Sequence, residues 1–307
     1  MNRFSPSDAA LEGFRVTREN PRAFAWWVGV SFLVSVAGVF ITVLMPENVR
    51  TAIETLASEE TPDLATFGNA LLNVLPVVIF GLAFLSMMAA AIYRLIFRHA
   101  DGRFGYLRLG WDELRLMTVI VIFILIATFT AAGLTFVAAL IGAIASFVSK
   151  DLAMWLIILA EAVVVPCVLF GVFVWAMMAL PATFAERRIQ IRGAWTIMKP
   201  VFWRLIGSYV LALACMTVIG ALALILFSAV AGVVVLASGG QISELSSIIR
   251  PQEVNFASYL RPGVIAYMVV GTVFNTLFNA AIAAPGAIVY RHEHDDPDSL
   301  KLHGYTN

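Results

Sequence analysis

The chain has 307 residues, of which 61% are apolar and only 13% are charged. This apolar fraction lies well above that of soluble globular domains, which excludes a water-soluble fold and indicates a protein whose solvent is the lipid bilayer. Lysine and arginine together equal aspartate and glutamate at 20 each. The resulting net charge of zero argues against nucleic acid as a partner.

Six apolar stretches are long enough to cross a hydrocarbon core of about 30 Å, which takes about 20 residues in an α-helix. We therefore predict an all-α membrane protein that forms a single integral membrane domain over residues 1–307. The predicted spans lie near residues 23–45, 70–92, 116–141, 153–180, 205–236 and 263–289.

The loops between these spans differ in their basic residues. Sixteen of the 20 Lys and Arg residues lie before spans one, three and five or after span six, and the other four lie in the remaining loops. The positive-inside rule then predicts that both termini are cytoplasmic. The first 22 residues contain no apolar signal region, so we expect span one to act as its own insertion signal.

A pattern recurs where the chain enters the odd-numbered spans. Arg22, Arg115 and Arg204 each stand just before an apolar run, at intervals of 93 and 89 residues. The segments upstream of them predict short interfacial amphipathic helices before spans one, three and five. A threefold repeat, each unit a surface helix and two spans, is one interpretation. The other interpretation is that the spans resemble one another only because all membrane spans share an apolar composition.

The even-numbered spans also end alike. Their last residues are MAAAIYR at 88–94, PATFAER at 181–187 and PGAIVYR at 285–291. Aromatic rings with a polar tip suit the depth of lipid headgroups, and arginine side chains can reach from a helix end to the surface. We expect Tyr93 and Tyr290 to lie at the membrane interface.

Residues 187–203 form the most informative loop. Apolar side chains recur there at helical spacing while basic side chains remain available to headgroups, which predicts an interfacial helix. Pro200 lacks the amide proton of a continuous helix, so we predict a break near Lys199 and a new start into span five. The segment binds lipid or a partner, or it anchors the bundle. The residues concerned are Arg187, Arg188, Arg192, Trp195, Lys199, Trp203 and Arg204.

Glu161 is the one carboxylate well inside a predicted span, on the order of 14 Å from its outer end. A charge at that depth costs about 2.5–3.5 kcal/mol on insertion scales. We expect the side chain to be protonated, to face water, or to hydrogen-bond to Asn73, Asn275 or Asn279 on another helix. Glu161 is then the intramembrane polar site of a small transporter, or part of a structural contact between helices.

The sequence contains no residue motif that is typical of catalysis or cofactor binding. It has no Walker loop, no Ser/His/Asp set and no carboxylates paired across a cleft. The run His292-Glu293-His294-Asp295-Asp296 has the residue types of metal ligands, but its spacing favours a solvated tail. We predict a protein that is not an enzyme and that holds no cofactor or metal.

The stretch 181–207 combines a proline, Glu186, Trp195 and the aromatic entry 202–207. It resembles a broad family of six-helix bacterial integral membrane proteins, which is similar to the membrane domain fused to some glycerophosphodiester phosphodiesterases. The family pattern has Gly after the acidic residue, where this chain has Arg187.

The resemblance implies a bacterial inner membrane but no activity, because no segment outside the spans is long enough for the phosphodiesterase domain. We expect a non-catalytic protein that binds or organises membrane lipids, a membrane-protein partner or further copies of itself. A small transporter or permease component is the alternative.

Overall fold

The structure is a computed structural model that describes residues 5–57, 64–97, 103–237, 251 and 253–295. Six of its helices are long and apolar enough to cross a membrane. The chain is therefore an all-α membrane protein, as the sequence predicts. The end of the 292–296 run considered above lies outside the described residues.

The helices occur in the following order: α1 (Pro6–Glu19), α2 (Pro21–Val43), α3 (Glu47–Ala57), α4 (Leu64–Phe97), α5 (Trp111–Ser146), α6 (Lys150–Leu159), α7 (Val165–Glu186), α8 (Ile191–Met198), α9 (Phe202–Ala237), α10 (Phe256–Tyr259) and α11 (Pro262–Asp295). A π-helical turn, Ala160–Val164, joins α6 to α7 in one span. The other spans are α2, α4, α5, α9 and α11. Each coincides with a predicted span, although α4, α5, α7 and α11 run several residues beyond the predicted ends.

Proline sets two of the helix boundaries. Pro21 is the first residue of α2 and is separated from the end of α1 by Asn20 alone, and Pro200 lies in a 3-10 turn, Lys199–Val201, between α8 and α9. Proline fits the first turn of a helix because its missing amide proton would have had no partner there. The break predicted near Lys199 is confirmed.

Two of the three predicted interfacial helices are present, α1 and α8. Before α5 the described residues form only a 3-10 turn, Arg103–Tyr106, so the prediction of a helix there is wrong for these residues. Phe104, Gly105 and Tyr106 have φ values of 51°, 64° and 67°. Three successive residues in the left-handed region cannot continue a right-handed helix.

The core lies at one end of the bundle, where the even-numbered spans end. Residues 88–97 of α4, 174–186 of α7 and 280–290 of α11 contain most of the fully buried side chains, many of them alanines. Small side chains allow helices to approach closely in a membrane. We call these three segments the hub. The three helix ends that resemble one another in sequence therefore lie together in one core.

The segments that precede the odd-numbered spans cover the hub in cyclic order. α1 packs on α11, the turn Arg103–Tyr106 packs on α4, and α8 packs on α7. In each case the start of one helix-pair unit covers the end of the preceding unit, and the first unit covers the last. This arrangement agrees with the threefold interpretation of the sequence. We call the end of the bundle formed by these segments the basic face.

A close backbone approach holds α1 on the hub. A Cβ atom added to Gly13 would lie 2.5 Å from Cα of Ala281 and 2.6 Å from the carbonyl oxygen of Ala280. Glycine is therefore the residue that fits at this crossing of α1 and α11. Ala9 and Val16 on the same side of α1 are buried.

Away from the hub the helices bury little. The outer parts of α5 and α9 expose large apolar side chains such as Phe136 and Leu224, which are 70% and 56% exposed. An apolar surface of this extent is stable against lipid rather than water. The bundle therefore has a closely packed end at the basic face and a looser, lipid-facing remainder.

Candidate functional site

An arginine-lined groove of about 470 Å³ lies on the basic face, where the first turn of α5 meets the ends of α4 and α7. The groove contains four arginines and two carboxylates, so its charge is positive. The lining residues used below are Arg94, Arg108, Trp111, Glu113, Arg115 and Arg187.

Arg94 and Glu113 form a buried ion pair at this groove, with side chains that are 9% and 5% exposed. Nη1 of Arg94 also donates to the carbonyl oxygen of Tyr106 at 2.9 Å. The guanidinium lies 5.9 Å from the ring centroid of Phe184. Arg94 is thus fixed by α5, by α7 and by the turn before α5, and it stabilises their junction rather than reaching to the surface.

One carboxylate oxygen of this pair remains unused. Oε2 of Glu113 is buried and accepts no hydrogen bond from the described residues. Gly110 also lines the groove. A Cβ atom added to Gly110 would lie 3.4 Å from Oε2 of Glu113. A buried acceptor without a donor is unfavourable, so this oxygen is available to a donor that enters the groove.

Arg115 and Arg187 present guanidinium groups to the groove. Arg115 pairs with Asp112 at 3.0 Å and keeps 35% of its side chain exposed. Arg187 is exposed and makes no ion pair or hydrogen bond with the described residues through its side chain. Guanidinium groups bind phosphate oxygens in a two-pronged geometry, so the groove suits a phosphate.

Arg187 has a strained backbone. It ends α7 with φ 55° and ψ 27°, in the left-handed region that glycine favours. A non-glycine residue there costs about 1–2 kcal/mol. α7 ends at this left-handed residue beside the first turn of α5, and Arg187 lines the groove there.

The arginine groove is flanked by large exposed side chains. Leu109 and Trp111 are 79% and 74% exposed. Indole rings of this kind are typical of the interface between membrane and water, where the ring meets lipid and its N–H meets water. The groove therefore has the chemistry of headgroup depth.

The other basic residues predicted to bind headgroups lie outside the groove. Arg188 is engaged with Glu186 through an ion pair of 2.8 Å. Lys199 lies 5.9 Å from the ring centroid of Trp195, in a cation–π contact. Arg192 is exposed on α8. Of the seven residues predicted, only Arg187 lines this groove.

The aromatic members of that set have different surroundings. Trp195 packs on Trp175 with ring centroids 5.2 Å apart, and Nε1 of Trp175 donates to the carbonyl oxygen of Ile191. This contact ties α8 to α7 and supports an anchoring role. Trp203 is 79% exposed at the start of α9, and Arg204 follows it, half-buried.

Sequence reasoning missed Arg108, Trp111 and Glu113 as parts of a site. The signal in the sequence is the concentration of arginines between spans two and three, which by itself indicates topology and not a shared site. Their convergence with Arg187, more than 70 residues further along the chain, depends on the packing of α5 against α7.

Glu161 lies in the π-helical turn Ala160–Val164, just before Pro166. The ring of a proline collides with the carbonyl four residues earlier in a regular helix, and a π-helical turn relieves the collision. Glu161 is exposed and makes no hydrogen bond with the described residues. In a membrane span this places a carboxyl group on the lipid-facing surface.

The asparagines predicted as partners of Glu161 bond elsewhere. Oδ1 of Asn73 accepts from Nδ2 of Asn48 at 2.9 Å, which joins α4 to α3. Nδ2 of Asn279 donates to the carbonyl oxygen of Asn275 on the same helix. The described residues therefore contain no hydrogen bond between Glu161 and these asparagines, and the predicted polar group does not assemble.

A second concave feature, which we call the apolar cavity, lies inside the membrane between α4, α5, α7 and α11. Its volume is about 260 Å³ and its lining is almost entirely apolar. Tyr93 and Asn279 are the lining residues with polar side chains among those that the structure describes. The cavity and the groove lie one above the other along α4, α5 and α7, since Tyr93 lines the cavity and Arg94 lines the groove.

The hub buries the two tyrosines that we expected at the membrane interface. Tyr93 and Tyr290 are 0% and 2% exposed, so their rings pack against other side chains of the hub and do not face lipid headgroups. Their rings pack around Phe97 and Phe184. The hydroxyl of Tyr290 donates to Oε1 of Glu186 at 3.2 Å, whereas the hydroxyl of Tyr93 has no partner among the described residues.

No protein-family model, curated protein or solved structure matches this chain.

Proposed function

We propose that this chain is a non-catalytic membrane protein that holds an anionic phospholipid, with the lipid phosphate in the arginine groove. The observation that carries the proposal is the presence of Arg115 and Arg187, from two different helices, in one groove beside the exposed Trp111. Organisation of lipids around the basic face is the corresponding role.

The distribution of charge supports a cytoplasmic position for this groove. In the sequence, sixteen of the 20 basic residues lie before spans one, three and five or after span six, and the positive-inside rule directs such segments to the cytoplasm. The resemblance of residues 181–207 to bacterial membrane proteins favours the inner membrane of a bacterium. Anionic lipids attract basic residues near the membrane surface by about 1 kcal/mol each.

The groove matches a headgroup that combines a phosphate with a hydrogen-bond donor. The guanidinium groups of Arg115 and Arg187 bind the phosphate oxygens. Oε2 of Glu113 accepts from a hydroxyl or ammonium group of the same headgroup. The buried contacts of Arg94 keep the floor of the groove rigid, which lowers the entropy lost on binding.

Native mass spectrometry of protein extracted gently from its own membrane tests this proposal. We expect Arg108→Gln, Arg115→Gln and Arg187→Gln together to remove a phospholipid that the wild type retains, and we expect retention by the wild type to weaken with salt. The matched control combines Arg188→Gln, Arg192→Gln and Arg204→Gln, which carry the same charge change outside the groove. Equal lipid retention in both triple variants would contradict the proposal. A retained protein would instead identify a membrane partner.

A small transporter that uses Glu161 is the second candidate function. It is favoured by the π-helical turn at this residue, because such turns often occur at functional sites. Proton flux into vesicles containing the purified protein provides the test. Glu161→Gln should abolish that flux while leaving the thermal unfolding unchanged, and an unaltered flux would remove this candidate.

A further inference from the structure

We propose that the apolar cavity binds a neutral lipophilic molecule that carries a carbonyl oxygen, and that this oxygen accepts a hydrogen bond from the hydroxyl of Tyr93. This inference goes beyond the headgroup role of the arginine groove and does not depend on it.

The hydroxyl of Tyr93 is the first argument. Tyr93 is completely buried and lines the cavity, and its hydroxyl has no hydrogen-bond partner among the described residues. Buried polar groups in folded proteins are almost always hydrogen-bonded, because an unpaired one keeps the cost of leaving water. A ligand with an acceptor oxygen removes that cost, whereas a hydrocarbon does not.

The size and lining of the cavity are the second argument. An engineered apolar cavity of about 150 Å³ stays free of water and binds benzene. The cavity here has about 260 Å³ and is lined by aromatic rings such as Phe123 and Phe173. It therefore accommodates a ring or a folded chain end larger than benzene, and its walls offer a bound water too few polar partners.

The route of entry is the third argument. Leu85 on α4 and Ile124 on α5 line the cavity and are 40% and 47% exposed on the lipid-facing surface. The cavity is thus bordered by residues that lipid molecules contact. Among the described residues, no ionisable group other than Tyr93 lines it, so an ion would be buried there without a counter-ion from them. The occupant is neutral and comes from the bilayer.

Thermal unfolding of the purified protein in detergent tests the inference with three probes. Methyl oleate carries an ester carbonyl, decylbenzoquinone carries ring carbonyls, and 1-octadecene carries no acceptor. A ligand that binds the folded state raises Tm. We expect at least one carbonyl probe to raise the Tm of the wild type more than octadecene does, and the better probe identifies an acyl ester or a quinone as the source of the carbonyl.

Two variants and one control separate hydrogen bonding from filling of space. Tyr93→Phe should weaken binding of the carbonyl probe by about tenfold, because the loss of one hydrogen bond changes an affinity by about that factor. The affinity for the carbonyl probe should then approach the affinity for octadecene. Ala127→Leu should fill the cavity and abolish the Tm shift with every probe. Ala132→Leu, on the exposed surface of α5 outside the cavity, should respond like the wild type.

Either of two results would overturn the inference. One is an equal Tm shift from carbonyl probes and octadecene in the wild type. The other is carbonyl binding that survives Tyr93→Phe unchanged. The variant with Arg108→Gln, Arg115→Gln and Arg187→Gln should bind the carbonyl probes like the wild type, so loss of phospholipid from the groove and loss of the cavity ligand are separate outcomes.

Discussion

The two ends of this bundle solve the problem of helix packing in a membrane in different ways. At the basic face, alanine and glycine let α4, α7 and α11 meet closely around a ring cluster that contains Phe97 and Phe184. Away from it, α5 and α9 present large apolar side chains such as Phe136 and Leu224 to lipid. In lipid the hydrophobic effect does not drive helices together, so close packing and hydrogen bonds hold the hub.

The contrast extends to charged groups. Glu113 lies in the closely packed end and is paired with Arg94, whereas Glu161 lies in the looser part and has no partner among the described residues. A carboxylate therefore stabilises the fold at one end and is a candidate for function at the other. Substitutions at matched positions can test each side of this comparison.

The largest effect is expected at the buried ion pair. Glu113→Ala leaves the guanidinium of Arg94 buried without its counter-charge, and loss of one partner of a buried pair costs about 3–5 kcal/mol. The free energy of unfolding in detergent measures the loss. Glu161→Ala is the matched control, since it removes a carboxyl group with no partner among the described residues. If both variants unfold alike, the buried pair does not hold the basic face together.

The next effect concerns the approach of α7 to α11. A Cβ atom on Gly286 would lie 2.2 Å from the carbonyl oxygen of Met177, and backbone cannot move aside as a side chain can. We expect Gly286→Ala to lower the free energy of unfolding by about 3 kcal/mol, at the upper end for overpacking. Gly271→Ala on the same helix meets no atom within 4 Å and should be neutral or stabilising. Equal stability of the two variants would show that the hub is not closely packed here.

A smaller effect should separate buried from lipid-facing leucines on α9. Leu205 is 0% exposed and Leu224 is 56% exposed. Leu205→Ala opens a cavity and should cost about 2 kcal/mol, at the low end for such changes because lipid already solvates apolar groups in the unpacked state. Leu224→Ala replaces one lipid-facing group by another and should change Tm little. A larger loss from Leu224→Ala would indicate a partner that covers this surface.

The smallest effect is a pH dependence at the contact of α1 with the hub. Burial raises the pKa of the Glu12 carboxyl above its ordinary value of 4.5, against the opposing charge of Arg15. The folded chain therefore binds more protons than the unfolded chain just above pH 4.5, and the contribution of Glu12 to stability falls as pH rises through this window. Glu12→Gln should remove that fall in a series of Tm values from pH 4 to 7. An unchanged slope would place the dependence on another group.

Much of the fold follows from local sequence. The six spans, the break at Lys199 and the start of α2 at Pro21 depend on runs of apolar residues and on the missing amide proton of proline, which act within a few residues. The similar ends of the even-numbered spans also pointed to related structures, and all three proved to be parts of the hub.

Only the tertiary structure decided how these helices face one another. Nearly uniform apolar composition does not record which side of a span is buried, so the sequence indicated neither the burial of Tyr93 nor the bonds that Asn73 and Asn279 make away from Glu161. The arginine groove forms because α5 packs against α7 and the left-handed Arg187 ends α7 beside it. Such contacts depend on the rotation and crossing of helices, which interactions between distant residues determine.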